Sequence, residues 1–277
     1  MEKINLMING LPGKVAETIA KAALKDKRFN PVRFSLTGQD IEETSIEIDG
    51  FEFSLVKPDA RNRIIDEIKS EYPDFISIDY THPSAVNPNA QFYVENSLPF
   101  VMGTTGGDRD RLEELVKNGS VPAVIAPNMA KQIVGFQAML EYAADTFPGL
   151  FKGYSLEVTE SHQQGKADTS GTAKAVVACF QKLGTEFDLN DIKMIRDPEI
   201  QEKQLKIPKE HLKGHGWHTY TLRSPDNSVM FEFRHNVNGR DIYVKGTFDA
   251  VIFLQQKINA GNRAHNFFTM IDVLNNR

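Results

Sequence analysis

The sequence predicts an α/β protein, with a parallel sheet covered by helices in its first half and a strand-rich second half. Three observations predict it. Short apolar runs alternate with segments of helical apolar spacing up to about Lys131. A glycine turn, Gly10-Leu11-Pro12-Gly13, stands where the first such run meets the first such helix. From Ser155 onward strand-like runs outnumber helical ones.

Taken in order, Ile4 to Asn9 is a short apolar run, and Lys14 to Lys25 repeats apolar residues at helical spacing. Val32 to Thr37 reads as a second strand. Ile46 to Val56 reads as a hairpin, because Asp49-Gly50 at its middle suits a two-residue turn. A helix from about Arg61 to Glu71 precedes a strand at Phe75 to Tyr80. A helix follows Pro83, then come a strand at Phe100 to Met102, a helix from Arg109 to Lys117 and a strand at Ala123 to Ala126. In sheets of serial β-α units, ligands bind just beyond the carboxyl ends of the strands. Those positions are the glycine turn, Thr37-Gly38, Thr81-His82-Pro83, Gly103-Thr104-Thr105-Gly106 and Pro127-Asn128-Met129.

The second half opens with a helix from about Lys131 to Asp145. Strands are predicted at Ser155 to Ser161, Thr219 to Arg223, Val229 to Asn236 and Ile242 to Val244, with a helix from Thr172 to Lys182. Asp197 to Gly216 carries mixed charge without period and reads as an exposed loop. A last helix, Asp249 to Lys257, leads into a tail that can fold back on the first domain.

Composition narrows the function classes. A chain of 277 residues with 40% apolar and 25% charged residues is of ordinary globular type, sized for two modest domains or one large one. A net charge of −5 argues against nucleic acid as the main partner, though it leaves room for a local basic pocket. No apolar run is long enough for a membrane span, and MEKINLMINGLPG lacks a signal-peptide pattern. The single cysteine, Cys179, excludes an intrachain disulfide and reads as a buried hydrophobe. The expected compartment is the cytoplasm.

Gly10 and Gly13 bring backbone and a helix N-terminus within reach of a pyrophosphate. The usual dinucleotide glycine spacing is not met, since Pro12 stands at its middle position. No carboxylate directly follows the second strand. Ser35-Leu36-Thr37-Gly38 puts hydroxyls and a glycine toward the ribose, which favours NADPH, while Asp40 leaves NADH open. Gly103-Thr104-Thr105-Gly106 suits a nicotinamide amide or a capped helix start.

The densest chemistry lies in ESHQQGKADTSGTAK, Glu160 to Lys174. Ser170 is expected to cap a helix, leaving the N–H groups of Gly171 and Thr172 for a carboxylate. Lys166 complements the same anion, and either His162 or Lys166 can deliver a proton. A capped helix behind a solvated loop explains the same residues without function. His211, His215 and His218 suggest a metal, but no carboxylate or cysteine joins them at a useful spacing, and none is expected. Arg234, His235 and Arg240 can frame an anionic substrate, with plain surface charge the alternative for Arg234.

Glu160-Ser161-His162, Lys166 and Asp168 to Ala173, with GLPGKVA, IDYTHP, MGTTGG, APNM and HNVNGR-IYVKGT, resemble the dihydrodipicolinate reductase family in order along nearly the whole chain. The wording of the central segment is similar to the plant and cyanobacterial branch. The resemblance implies NAD(P)H-dependent reduction of a cyclic imine dicarboxylate to tetrahydrodipicolinate in lysine and diaminopimelate biosynthesis. It implies proton donation by His162 and Lys166, and substrate contacts at Gln163, Ser170, Gly171, Thr172 and Arg240. Cofactor contacts are implied for Gly10, Leu11, Pro12, Gly13, Lys14, Val15, Thr37, Gly103, Thr104, Thr105, Ala126, Pro127, Asn128 and Met129. The implied fold is a Rossmann-type dinucleotide-binding domain, residues 1–129, completed by a C-terminal helix at about 247–277. Residues 130–246 would form an α+β substrate-binding and oligomerisation domain with a mixed sheet, in a homodimer or homotetramer.

Three positions depart from the common bacterial pattern. Gln163 replaces a second histidine, Val15-Ala16 replaces Met-Gly, and Lys14 replaces an arginine. Another two-domain dehydrogenase should lack the set of His162, Lys166 and Ser170 to Thr172, and a non-catalytic NADPH sensor would need no proton donor.

Overall fold

Most of the predicted elements form within one or two residues of their expected bounds, in a computed structural model that describes residues 2–261 and 265–276. The chain divides into two units, Met1–Lys131 with Asp241–Arg277, and Gln132–Arg240.

The first unit begins β1 (Ile4–Asn9), α1 (Lys14–Lys25), β2 (Phe29–Pro31), β3 (Phe34–Leu36), β4 (Ser45–Ile48), β5 (Phe51–Val56) and α2 (Arg61–Glu71). It continues with β6 (Ile76–Asp79), α3 (Val86–Glu95), β7 (Phe100–Met102), α4 (Arg109–Asn118) and β8 (Ala123–Ile125). The second unit holds α5 (Lys131–Thr146, starting at the last residue of the first), β9 (Ser155–His162), α6 (Gly171–Lys182), β10 (Lys193–Ile195), α7 (Pro198–Lys203), β11 (His215–Arg223) and β12 (Met230–Asn238). The chain then returns to the first unit as α8 (Asp241–Asn259), β13 (Phe267–Phe268) and α9 (Met270–Asn275).

Six strands of the first unit form a parallel sheet in the order β13-β8-β7-β6-β1-β2. Leu6, Met7 and Ile8 of β1 are all fully buried, as a sheet covered on both faces requires. The Asp49-Gly50 hairpin forms with positive φ at both residues, 49° and 80°, the conformation that a tight two-residue turn needs.

The expected strand Val32 to Thr37 forms only over Phe34–Leu36, as β3, and the place beside β1 in the large sheet is taken by the preceding β2. Pro31 closes β2 in the large sheet, and β3 joins a separate sheet in the order β3-β5-β4. Proline offers no N–H to continue the ladder, and the Asn9 side chain then accepts the Leu36 N–H at 2.8 Å.

Ile242 to Val244 is helix, not strand. A short apolar run cannot tell the two apart, and here it opens α8, whose Gly246, Phe248, Val251 and Leu254 are buried. The tail does return to the first sheet, through β13 beside β8.

In the second unit the sheet is mixed, in the order β10-β9-β11-β12, with only the β10–β9 pair parallel. Leu140 of α5, Val177 and Phe180 of α6, and Val158, Tyr220 and Leu222 of the strands share one core. Asp197 to Gly216 is not an open loop. Asp197 caps α7 by accepting the Glu199 N–H at 2.8 Å, and Pro198 takes the first helical position, where its missing N–H costs nothing. Gln201 and Ile207 are buried, and β11 already begins at His215. The short strand β10 had no sequence signal.

Candidate functional site

In the first unit the sheet ends converge on the glycine turn. Gly10 has φ of 107°, and a Cβ there would lie 2.1 Å from the Tyr80 carbonyl oxygen, so only glycine fits. At Gly13 a Cβ would lie 2.7 Å from the Gly10 carbonyl oxygen. Gly13 occupies the cap position of α1 and offers no side-chain cap, so the first N–H groups of the helix, at Lys14, Val15 and Ala16, keep their affinity for an anion. These features fit a dinucleotide phosphate.

The hydroxyls expected to face the ribose turn inward. Thr37 Oγ1 donates to the Leu11 carbonyl at 2.7 Å, and Ser35 is fully buried beside the Leu11 N–H. Both brace the turn. Gly38 and Asp40 are exposed at that edge.

A buried polar network, which the sequence did not reveal, anchors the predicted contact loops at Thr81 and Thr104. Asp79, fully buried at the end of β6, accepts from Tyr93 (2.7 Å), Asn89 (3.0 Å), Thr81 Oγ1 (2.8 Å) and Thr104 Oγ1. Asn9 donates to the Tyr93 hydroxyl at 3.0 Å. Burial, with the Asp79 charge beside it, holds the Tyr93 hydroxyl protonated well above its ordinary range. Thr104 is therefore a structural anchor, whereas Thr105 is exposed. At Gly103 a Cβ would lie 2.4 Å from the Tyr80 ring.

The last contact loop is closed by α8. At Gly246 a Cβ would lie 1.8 Å from the Met129 carbonyl oxygen, Asn128 Oδ1 accepts the Ala130 N–H at 2.9 Å, and Lys131 pairs with Asp249. Ala126 is buried and Pro127 exposed.

In the second unit, pairing of β9 with β11 places Glu160 opposite His218 and His162 opposite Gly216. Glu160 is fully buried and forms an ion pair with Arg196. Its other oxygen accepts the Ser170 N–H at 2.9 Å. Ser170 does take the cap position of α6, but its side chain makes no cap bond. The expected hydroxyl cap is thus replaced by the Glu160 carboxylate acting on the backbone, and the N–H groups of Gly171 and Thr172 stand ahead of the helical ladder.

Arg196 also holds the loop, donating to the Lys166 carbonyl at 2.8 Å. Lys166 Nζ lies 3.1 Å from Asp168 Oδ1, a carboxylate 83% exposed and hence easily displaced. Gln163 starts the turn, its carbonyl accepting the Lys166 N–H at 3.0 Å. Gln201 of α7 donates to the His162 carbonyl at 2.7 Å. Neither Arg196 nor Gln201 was singled out by the sequence: Gln201 lies in the segment that reads as loop, and Arg196 immediately precedes it.

His162 Nδ1 meets the His215 carbonyl oxygen at 3.1 Å, and its Nε2 meets His218 Nε2 at 3.3 Å. Burial lowers His162 below its ordinary pKa, with the Glu160 charge opposing the shift. Burial, then His235 and His162, push His218 down to about 2, and burial takes His235 to about 4. These rings are neutral near pH 7.

A carboxylate does join the histidines, across strands rather than along the chain: Glu160, His162 and His218 offer atoms within 4.8 Å of one another. The set does not suit a cation. Both Glu160 oxygens are engaged, by Arg196 and by the Ser170 N–H, and the guanidinium charge adjoins the site.

Of the remaining basic residues, Arg234 is exposed and pairs with Glu232 at 3.0 Å. His235 is half-buried, and Arg240 rests against Gly214, where a Cβ would lie 3.1 Å from Nη1. Cys179 is buried.

A dinucleotide-type parallel sheet and a mixed-sheet unit carrying a histidine-lysine loop define the class of a two-unit nucleotide-dependent oxidoreductase. The chain belongs to the dihydrodipicolinate reductase family, whose N-terminal model matches residues 4–129 and C-terminal model residues 133–274. It is 47% identical over 274 residues to 4-hydroxy-tetrahydrodipicolinate reductase 1, chloroplastic, of Arabidopsis thaliana, covering 98% of this chain and 78% of that one. The reductase of the cyanobacterium Prochlorococcus marinus is 26% identical over 91% of this chain and 94% of its own, lower than the Arabidopsis relative. The dipicolinate-bound dihydrodipicolinate reductase from Paenisporosarcina sp. TG-14 shares the fold, with a TM-score of 0.67 at 18% identity over 97% of this chain and 98% of that one. Among the described residues no helix is long and apolar enough to cross a membrane.

Proposed function

We propose that the protein reduces 4-hydroxy-tetrahydrodipicolinate, by way of the dihydrodipicolinate imine, to tetrahydrodipicolinate in lysine and diaminopimelate biosynthesis. The observation that carries this reading is the folded signature loop, in which Glu160 and Arg196 hold Lys166, Ser170, Gly171 and Thr172 in one short span. A reduced nicotinamide, when bound, supplies the hydride. The chain's own residues do the rest. The N–H groups of Gly171 and Thr172, at the positive end of α6, take a substrate carboxylate. Lys166 exchanges Asp168 for that anion, and Lys166 or His162 delivers the proton that must follow the hydride. Gln163, Ser170 and Arg240 complete the proposed substrate contacts.

The first unit would hold the cofactor through Gly10 to Val15, Thr37, Gly103 to Thr105 and Ala126 to Met129. NADPH is preferred, because no carboxylate directly follows β3 and exposed Gly38 leaves room for a 2′-phosphate; NADH stays open through Asp40. The second unit would bind substrate and make a homo-oligomer. Its edge strand β12, with Met230 53% and Phe231 41% exposed, supports a second copy, which light scattering tests. The single buried thiol supports a reducing compartment, proposed as the cytoplasm. The test of activity is NADPH oxidation with freshly generated product of dihydrodipicolinate synthase: turnover supports the reading, and no oxidation at high enzyme concentration refutes it.

A further inference from the structure

We propose that His218 is a positioning residue that governs the loading of a proton on His162, by donating its own Nε2 hydrogen to the Nε2 of that ring. This rests on the reading of His162 as a proton donor.

The hydrogen positions follow from what each atom can do. The His215 carbonyl oxygen only accepts, so His162 Nδ1, 3.1 Å away, carries hydrogen. In the neutral ring Nε2 is then a lone pair, and it faces His218 Nε2 at 3.3 Å. Were the His218 hydrogen on Nδ1, two lone pairs would oppose each other. A buried N–H would also go unmet, because His218 Nδ1 has no partner among the described residues. Hydrogen on His218 Nε2 removes both faults.

The donor is firmly seated. His218 is 4% exposed and stacks on His235, with ring centroids 4.6 Å apart and planes 28° apart. The ring of Tyr220 lies nearly parallel to that of His218, at 7° with centroids 6.4 Å apart. The titratable and charged groups around the pair are Glu160 on β9, Lys166 and Arg196 on the loops, His215 and Tyr220 on β11 and His235 on β12.

Both nitrogens of neutral His162 are thus occupied. A proton can load on its Nε2 only if His218 moves its hydrogen to Nδ1, into a site that offers no acceptor. The arrangement penalises the loaded form, so a proton placed there is readily given up.

Side-chain NMR titration of His162 in the whole protein tests this. In His218→Phe, which keeps ring volume and the stack but donates nothing, His162 should titrate about one pH unit higher than in the unaltered protein. The pH at which kcat/KM falls should move with it, while NADPH affinity holds. His218→Gln, whose amide can turn to accept, should shift titration in the same direction and serves if the Phe variant does not fold. His162 titrating at its original pH in both variants overturns the inference, as does hydrogen on Nε2 of neutral His162. If His162→Ala keeps full kcat while the titration shift is still seen, the proton-donor reading fails and the His218 relationship stands.

Discussion

Glu160 and Arg196 form an ion pair beneath the signature loop, with the carboxylate fully buried and the guanidinium 17% exposed. Through this one pair, the end of β9 is tied to the segment after β10 and to the start of α6. Arg196→Leu strands a buried charge and should cost about 3–5 kcal/mol of stability. Glu160→Gln with Arg196→Leu should recover part of that. Denaturant unfolding of the single and double variants decides it; strictly additive losses would show that the pair is not what holds the loop.

Asp79 performs the matching task in the first unit. Asp79→Asn replaces an acceptor of several donors with a group that must itself donate, at about 1–3 kcal/mol. Because Thr81 and Thr104 lose their anchor, NADPH affinity should fall about tenfold by fluorescence titration. An unchanged affinity would separate this network from the cofactor.

Two glycines make a controlled contrast. Gly10→Ala meets the Tyr80 carbonyl at positive φ and should abolish dinucleotide binding or folding. Gly171→Ala has open space and no positive φ, so the melting temperature should hold within a few degrees while KM for the substrate rises. Equal loss of stability in both would contradict the steric account.

Acid should destabilise the second unit from the histidines downward. His218 has a folded pKa near 2, far below the unfolded value of about 6.5. The unfolded chain therefore binds the extra proton, and stability falls with pH from about 6.5 toward 2, by up to about 1.4 kcal/mol per pH unit for this ring. His235 adds the same sign down to about 4. The fall between pH 6 and about pH 5, above the range of most carboxylates, should shrink in His218→Gln. A flat stability profile across that interval in the unaltered protein would contradict the burial.

Local patterns carried far in the sequence. Apolar runs gave β1, β7 and β8, and Asp49-Gly50 gave the hairpin, because each depends on neighbours along the chain. What stayed hidden depends on partners far away. Glu160 meets His218 only through strand register, and Gln201 is buried only because α7 packs beneath His162. The inward turn of Thr37 follows from its bond to Leu11, and the helical start of α8 from packing on Met129. A run such as Ile242 to Val244 holds no record of that packing.

The central claim is that His162 and Lys166 act on the proton and not on the cofactor. Steady-state kinetics and NADPH binding of His162→Ala and Lys166→Ala test it most directly. The account predicts kcat lower by about 100-fold or more in each, with NADPH affinity nearly unchanged. Variants that keep kcat and lose only cofactor binding would contradict it.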